Sequence, residues 1–226
     1  MYHRFGYNES GLFVTPENFT RQMAFLKNKG YEVISLDELV EGIKNNRKFK
    51  HKTVVITIDD GYQDNYIYAY PILEKYNFPT TIFIVANFID KRGEFMKWDE
   101  IKIMLQNNIS FGAHTKNEVY IPSIKDKSIL WNETAGCKKL IEKKLGLPID
   151  YFCYPTGGFT EEAKNIVKKA GYKGACTTNR GFAELNKDVY ELKRIKVKNS
   201  DMNKPFGFRT KLSGYYNLFR AKKSGH

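Results

Sequence analysis

Cysteine is scarce in this chain: Cys137, Cys153 and Cys176 are three in 226 residues, far apart and without a Cys-x-x-Cys pair. An odd, sparse set makes no disulfide framework, and with only four histidines a structural zinc module is excluded. No apolar run reaches the roughly 18 to 20 residues that span a bilayer. The chain does not open with a charged segment followed by an apolar core, so no export signal is visible. A concentrated basic block is missing too, because the net charge of +12 is spread along the whole length. Without an RNP-like aromatic motif, a zinc finger or a basic heptad pattern, nucleic acid is not the expected partner. The charge reads first as a Lys-rich solvated exterior, and next as a face that meets anionic glycans or a membrane surface. Internal repeats and low-complexity linkers are lacking, and nothing in the sequence fixes an oligomeric state.

What is present is one domain's worth of core, with 42% hydrophobic and 15% aromatic residues, distributed in alternating segments. Thr15-Pro16-Glu17 supplies a cap, a proline at the first helical position and an acid. Phe19, Met23, Phe25 and Leu26 then predict an amphipathic helix that stops at Gly30. A short strand over 31–34 is followed by Ser35 and Glu38, the capping box of a second helix running to about Asn45. The alternation continues with strands at 53–58, 80–85, 109–113, 151–154, 174–178 and 192–197. Helices are expected near 64–76, 98–107, 126–145 and 160–170. Short apolar strands alternating with helices imply a mostly parallel sheet. At this length the closed form is a distorted (β/α) barrel of about seven parallel strands, with an open doubly wound sheet as the alternative. Residues 198–226 form a loop-rich tail containing the aromatic and basic stretch 215-YYNLFRAKK-223.

The most apolar strand ends in 57-TIDDG-61, which places Asp59 and Asp60 side by side. Adjacent carboxylates are costly unless a cation lies between them or one keeps a proton; a solvated Asp-Gly turn is the plain alternative. Other polar residues fall at the same edge. His3 follows the first extended residues, His114 ends 109-ISFGA-113, and 155-PTGG-158 ends 151-YFCY-154. In parallel α/β folds, functional groups gather at the carboxyl ends of strands. If 115–118 begins a helical turn, His114 and Glu118 share one face. With Asp60 they would offer two oxygens and a nitrogen to a metal ion, leaving positions open for water and substrate.

These motifs resemble those of the polysaccharide deacetylases with a NodB-homology domain, carbohydrate esterase family 4. The stretch 57-TIDDG-61 is similar to the family's T-F-D-D-G, 114-HTKNE-118 to its H-[ST]-x-x-H, and 152-FCYPTGG-158 to the F-x-Y-P-x-G variant of its third motif. The segment 192-LKRI-195 lies where a late strand motif falls, and the resemblance runs from residue 1 to about 200. It implies a deacetylase domain over 1–200, a separate tail over 201–226, and a carbohydrate substrate. By the resemblance Asp59 is the general base, while Asp60, His114 and the residue at 118 hold a divalent metal, zinc first, with manganese, cobalt or iron as alternatives. The Thr156 backbone N–H would face the oxyanion. No histidine follows 192-LKRIKV-197, so the acid role passes to His3, as in the biofilm poly-N-acetylglucosamine deacetylase branch with its N-terminal Tyr-His.

Two departures stand out. Glu118 replaces a histidine ligand, which shifts the donor set toward harder metals. Cys153 stands where many members carry an arginine that orients the base, and Arg194 is the candidate substitute. The expected activity is removal of an N-acetyl group from a sugar of a polysaccharide or lipid-linked glycan, with Tyr62, Tyr154 and Trp98 as candidate stacking surfaces. Glu118 equally raises the alternative of an impaired relative that binds glycan or a protein; an amidohydrolase for small acylated amines is a third. Location stays open: cytoplasmic if the chain is complete, cell envelope or extracellular if residues precede it.

Overall fold

A computed structural model describes residues 1–179, 186–202, 204, 207–213 and 216. Its centre is a five-stranded, all-parallel sheet: β5 (Ile56–Ile58), β6 (Thr80–Ile84), β7 (Ile109–Ala113), β8 (Tyr151–Cys153) and β9 (Gly174–Cys176), hydrogen-bonded in that order. Strands and helices alternate, and the sheet curls into a half-barrel. Two short parallel pairs flank it, β1 (Arg4–Phe5) with β2 (Phe13–Val14), and β3 (Glu32–Val33) with β4 (Thr53–Val54). The regular sheet therefore has five strands where about seven are expected from the sequence. Segment 192–197 is not a strand. It touches the sheet through a single bridge, Leu192 to Cys176, because its backbone bonds are shared between two neighbours. Thr177 N–H donates to Leu192 O at 2.8 Å on one side, and Val197 N–H to Met1 O at 3.0 Å on the other. Tyr2 in turn bridges Ile58 of β5.

The local signals act as the residues dictate. Thr15 caps α1 (Pro16–Asn28) by accepting from Asn18 N–H, and Ser35 with Glu38 forms the capping box of α2 (Leu36–Lys44). The helix expected near 64–76 is divided: Asn65–Ala69 is wound as a π-helix before α3 (Tyr70–Tyr76) begins. The next helices are α4 (Trp98–Met104), α5 (Lys127–Leu145) and α6 (Glu161–Lys169). β6 is buried at every position, as a central strand covered on both faces must be. The main core packs Tyr2, Phe5, Phe19 and Met23 against Ile58, Ile82 and Ile84. No described helix is long and apolar enough to cross a membrane.

The tail expected over 201–226 carries one described helix, α7 (Gly207–Leu212). Its buried Phe208 lies edge-on to Phe25 of α1, with ring centroids 5.8 Å apart. Of the stretch 215–223, only Tyr216 falls within the described residues.

Candidate active site

Every strand of the half-barrel delivers its chain to the same edge, and the polar residues leave the sheet there. β5 runs into Asp59 and Asp60, both buried. The strand cannot continue, because Asp60 and Gly61 adopt left-handed φ values of 78° and 83°. A Cβ at Gly61 would lie 2.8 Å from Ile84 Cγ2, so the turn needs glycine for space as well as for conformation. A non-glycine residue held in that region, as Asp60 is, marks strain of the kind that gathers at functional sites. β7 ends in His114, also buried, and β8 runs into Pro155, Thr156 and Gly157.

Arg194 reaches this edge from the non-strand segment. Its Nη1 donates to Asp59 Oδ1 at 2.6 Å and its Nη2 to Asp59 Oδ2 at 2.7 Å, a two-pronged clamp. Nη2 also contacts Cys153 Sγ at 2.9 Å, Nη1 donates to Thr57 Oγ1 at 3.0 Å, and Nε donates to the Thr177 carbonyl at 3.1 Å. Burial alone pushes the Asp59 carboxyl up, but the charge and hydrogen bonds of Arg194 outweigh it and hold the group well below the usual carboxylate range. Asp59 is therefore an ionised acceptor, fixed in one orientation by a planar fork.

His114 faces the pair from the other side. Its Nδ1 lies 2.8 Å from the Cys153 carbonyl, which can only accept, so Nδ1 carries a proton and Nε2 is the ring atom aimed at Asp60. Nε2 is 3.4 Å from Asp60 Oδ1. Two ligand atoms each about 2.0–2.1 Å from a tetrahedral ion are themselves separated by about 3.4 Å. The donor set and the backbone-oriented imidazole thus match what a divalent cation requires. Among the described residues, one group of three ligand types has its atoms within 4.8 Å of one another: Asp59, His114 and Cys153. Arg194 already occupies the Asp59–Cys153 side of that group with a positive charge, which leaves the His114–Asp60 edge as the better seat for a cation. Burial pushes the His114 imidazole down, but Cys153, Asp60 and Asp59 beside it raise it well above its ordinary value.

Glu118 does not reach the edge as a helical turn would bring it. Residues 115–117 form a turn, Thr115 and Glu118 have left-handed φ of 62° and 57°, and Glu118 is exposed. Its carboxyl still senses the site: partial burial and Asp60 raise its pKa while His114 opposes the shift. His3 lies with Nε2 4.0 Å from Asp59 Oδ2, and its buried Nδ1 has no partner among the described residues. Asn65, at the start of the π-helix, holds this residue by donating to the His3 carbonyl at 2.8 Å. Burial pushes the His3 imidazole down, against the opposing pull of Asp59 and Asp60. Thr156 sits at φ 54° between Pro155 and Gly157. Its carbonyl accepts from Thr178 Oγ1 at 2.7 Å, which pins the loop to the segment that follows β9.

The structure thus brings Asp59, Asp60, His114, His3 and Arg194 together and leaves Glu118 at the rim. It removes two of the expected stacking aromatics, since Tyr154 and Trp98 are core residues. Tyr62 is held between the Phe95 ring, 4.6 Å away, and the Arg4 guanidinium, 4.0 Å away. An aromatic passed over in the sequence, Tyr120, is 44% exposed and lies against Gly158, where a Cβ would come within 2.5 Å of its ring. The glycine after the Pro-Thr-Gly turn was the available signal.

A family model described as polysaccharide deacetylase matches residues 46–175. YxkH of Bacillus subtilis (strain 168), whose name assigns it to the polysaccharide deacetylases, is 31% identical over 207 residues, covering 92% of this chain and 73% of that protein. The poly-beta-1,6-N-acetyl-D-glucosamine N-deacetylase of Staphylococcus aureus is 25% identical over 197 residues, 81% of this chain and 67% of the relative. Among solved structures, the Streptococcus pyogenes deacetylase PplD in complex with acetate superposes with a TM-score of 0.85 at 26% identity, over 94% of this chain and 96% of that one. IcaB from Ammonifex degensii shares the fold, with a TM-score of 0.80 at 23% identity over 94% and 93%. The chain belongs to the polysaccharide deacetylase family, whose named relatives include N-deacetylases of acetylated glycans.

Proposed function

We propose that this protein is a metal-dependent N-deacetylase that removes the acetyl group from an N-acetylated sugar of a polysaccharide or a lipid-linked glycan. The carrying observation is the Arg194-clamped Asp59 beside the Asp60–His114 pair at the carboxyl edge of a parallel sheet. In this reading residues 1–200 form the catalytic domain and 201–226 an appended tail. Asp60, His114 and Glu118 would hold a divalent metal, zinc first, with manganese, cobalt or iron as alternatives. When bound, the metal supplies Lewis acidity toward the acetamide carbonyl and its attacking water.

Asp59 accepts the proton of that water. Arg194 keeps Asp59 ionised and aimed, and limits its basicity in doing so. The Thr156 backbone N–H donates to the oxygen on which negative charge develops. His3 delivers a proton to the departing sugar nitrogen, without which the C–N bond cannot break at neutral pH. Burial disfavours a charged imidazole in the free protein, so the proton His3 delivers is the one Asp59 has taken from water, 4.0 Å away.

The experiment is a metal titration of chelator-stripped protein, wild type and Asp60→Asn, followed by acetate release from N-acetylglucosamine oligomers and from small N-acetyl amines. One ion bound at micromolar or tighter affinity, lost in the variant, with acetate released from the oligomers, supports the reading. Release from small amines alone would replace the substrate assignment. One observation favours a second reading, a glycan-binding relative with impaired catalysis: Glu118 sits exposed on a turn instead of among the buried donors. Wild type that binds oligomers without binding metal would select it.

A further inference from the structure

We infer that Glu133, on α5, is the positioning residue that aims the 114–118 turn at the metal seat; the inference rests on the metal-site reading above. Glu133 is 4% exposed, and a carboxylate that deeply buried requires partners. All three that the structure gives it come from the turn. Oε2 accepts from the backbone N–H groups of Lys116 at 2.9 Å and Asn117 at 3.0 Å, and Oε1 accepts from Asn117 Nδ2 at 2.5 Å. The opposite side of the turn is tied to the chain leaving β6. Ala86 N–H donates to Thr115 O at 3.2 Å, Asn87 N–H to Lys116 O at 3.0 Å, and Asn87 Nδ2 to Asn117 Oδ1 at 2.8 Å.

The turn needs this support. It begins and ends on non-glycine residues in the left-handed region, Thr115 and Glu118. A β-branched residue there persists only where its surroundings over-determine the backbone. The Glu133 carboxylate gathers successive N–H groups of the turn around one anion. That fixes the direction in which the chain carries Glu118 away from His114, and so decides whether the carboxylate at 118 faces Asp60 and His114. Glu133 touches none of the reacting groups and acts through Glu118.

The test uses Glu133→Gln, which keeps the shape and one acceptor, alone and combined with Glu118→Ala. Zinc affinity of the stripped proteins is read by competition with a chromogenic chelator, and amide hydrogen exchange of residues 115–118 is read without metal. The expected result is a roughly 10- to 100-fold loss of zinc affinity from Glu133→Gln in the wild-type background. That loss disappears in the Glu118→Ala background, and the Lys116 and Asn117 amides exchange faster. An equal loss in both backgrounds, or none, overturns the positioning role while leaving the site reading intact, because that reading asks only that wild type bind metal and Asp60→Asn not. Wild type that binds no metal overturns the site reading, and exchange then decides the clamp alone: unchanged protection at 116 and 117 overturns it as well.

Discussion

The two walls of the site are built differently. On the Asp59 wall, each polar group is tied to a strand or to the segment beside one. Asp59 takes two bonds from Arg194, Arg194 is locked by Thr57, Cys153 and Thr177, and Asp59 and those three partners are buried. On the Glu118 wall the chain is a strained turn with an exposed carboxylate, held by Glu133 of α5 on one side and by the loop at Ala86 and Asn87 on the other. A proton acceptor must be held to within a fraction of an ångström of its target, and strand ends provide that rigidity. A metal ligand at the rim tolerates adjustment, because metal bonds can draw it in. The difference teaches where substitution is tolerated: the exposed carboxylate of Glu118 stands on a turn, and the buried Asp59 is clamped by an arginine from a distant segment.

The sharpest way to break this comparison is Arg194→Ala. It leaves Asp59 as an uncompensated buried carboxylate, so stability should fall by about 3–5 kcal/mol and the melting temperature by roughly 10 °C, read by calorimetry. Acetate release should fall with it even where the protein remains folded. If the melting temperature is unchanged, the claim that this wall is the rigid one fails. Asp59→Asn comes next. Loss of a positioned base should lower kcat by about 10²–10⁴-fold, with metal affinity in a chelator titration nearly unchanged; a large loss of metal affinity would move Asp59 into the ligand set. On the other wall, Glu118→Ala should weaken zinc binding clearly while shifting stability by about 0.5 kcal/mol or less, as expected for an exposed side chain. Glu118→His should recover zinc affinity. Smaller still is Thr115→Gly. Relief of a left-handed β-branched residue offsets the added chain entropy to within about 1 kcal/mol, so denaturant midpoints should nearly coincide while exchange in the turn quickens.

A last measurement probes burial on both sides through the thiols of β9 and α5. Cys176 is fully buried, and burial pushes its thiol up to about 12; burial likewise pushes Cys137 far above the usual thiol range. Their thiolates are negligible at pH 8, so a thiol reagent should leave both unmodified in the native protein and label them only after unfolding. Labelling of either in the folded state would contradict the packing of β9 or α5.

Much of this was legible from the residues. Thr15-Pro16 and Ser35/Glu38 cap helices as their chemistry predicts. The strand that ends in paired aspartates is the buried β5, and the position of Arg194 was inferred from the missing arginine at Cys153. Other features depend on contacts that periodicity does not carry. Segment 192–197 has the composition of a strand, yet its hydrogen bonds are divided between Thr177 and Met1. Position 118 was placed by helical spacing, which fails once Thr115 turns left-handed. Tyr154 and Trp98 sit near motif residues but face inward, and Glu133 meets the turn from 16 and 17 residues along the chain.

The wall that carries Asp59 has a history in time as well as a shape. Asp59 and its arginine are 135 positions apart, and the segment that bears Arg194 is also the one that bonds to Met1. Contacts of such long range close late in folding, since the entropy of the intervening loop must be overcome before they contribute. On a ribosome the first half of the sheet can form long before residue 194 has emerged. Throughout that interval Asp59 is a carboxylate at the end of an apolar strand without its arginine. The Asp59 wall and the completed fold therefore arrive in the same step, and any chain short of 194 lacks the clamp.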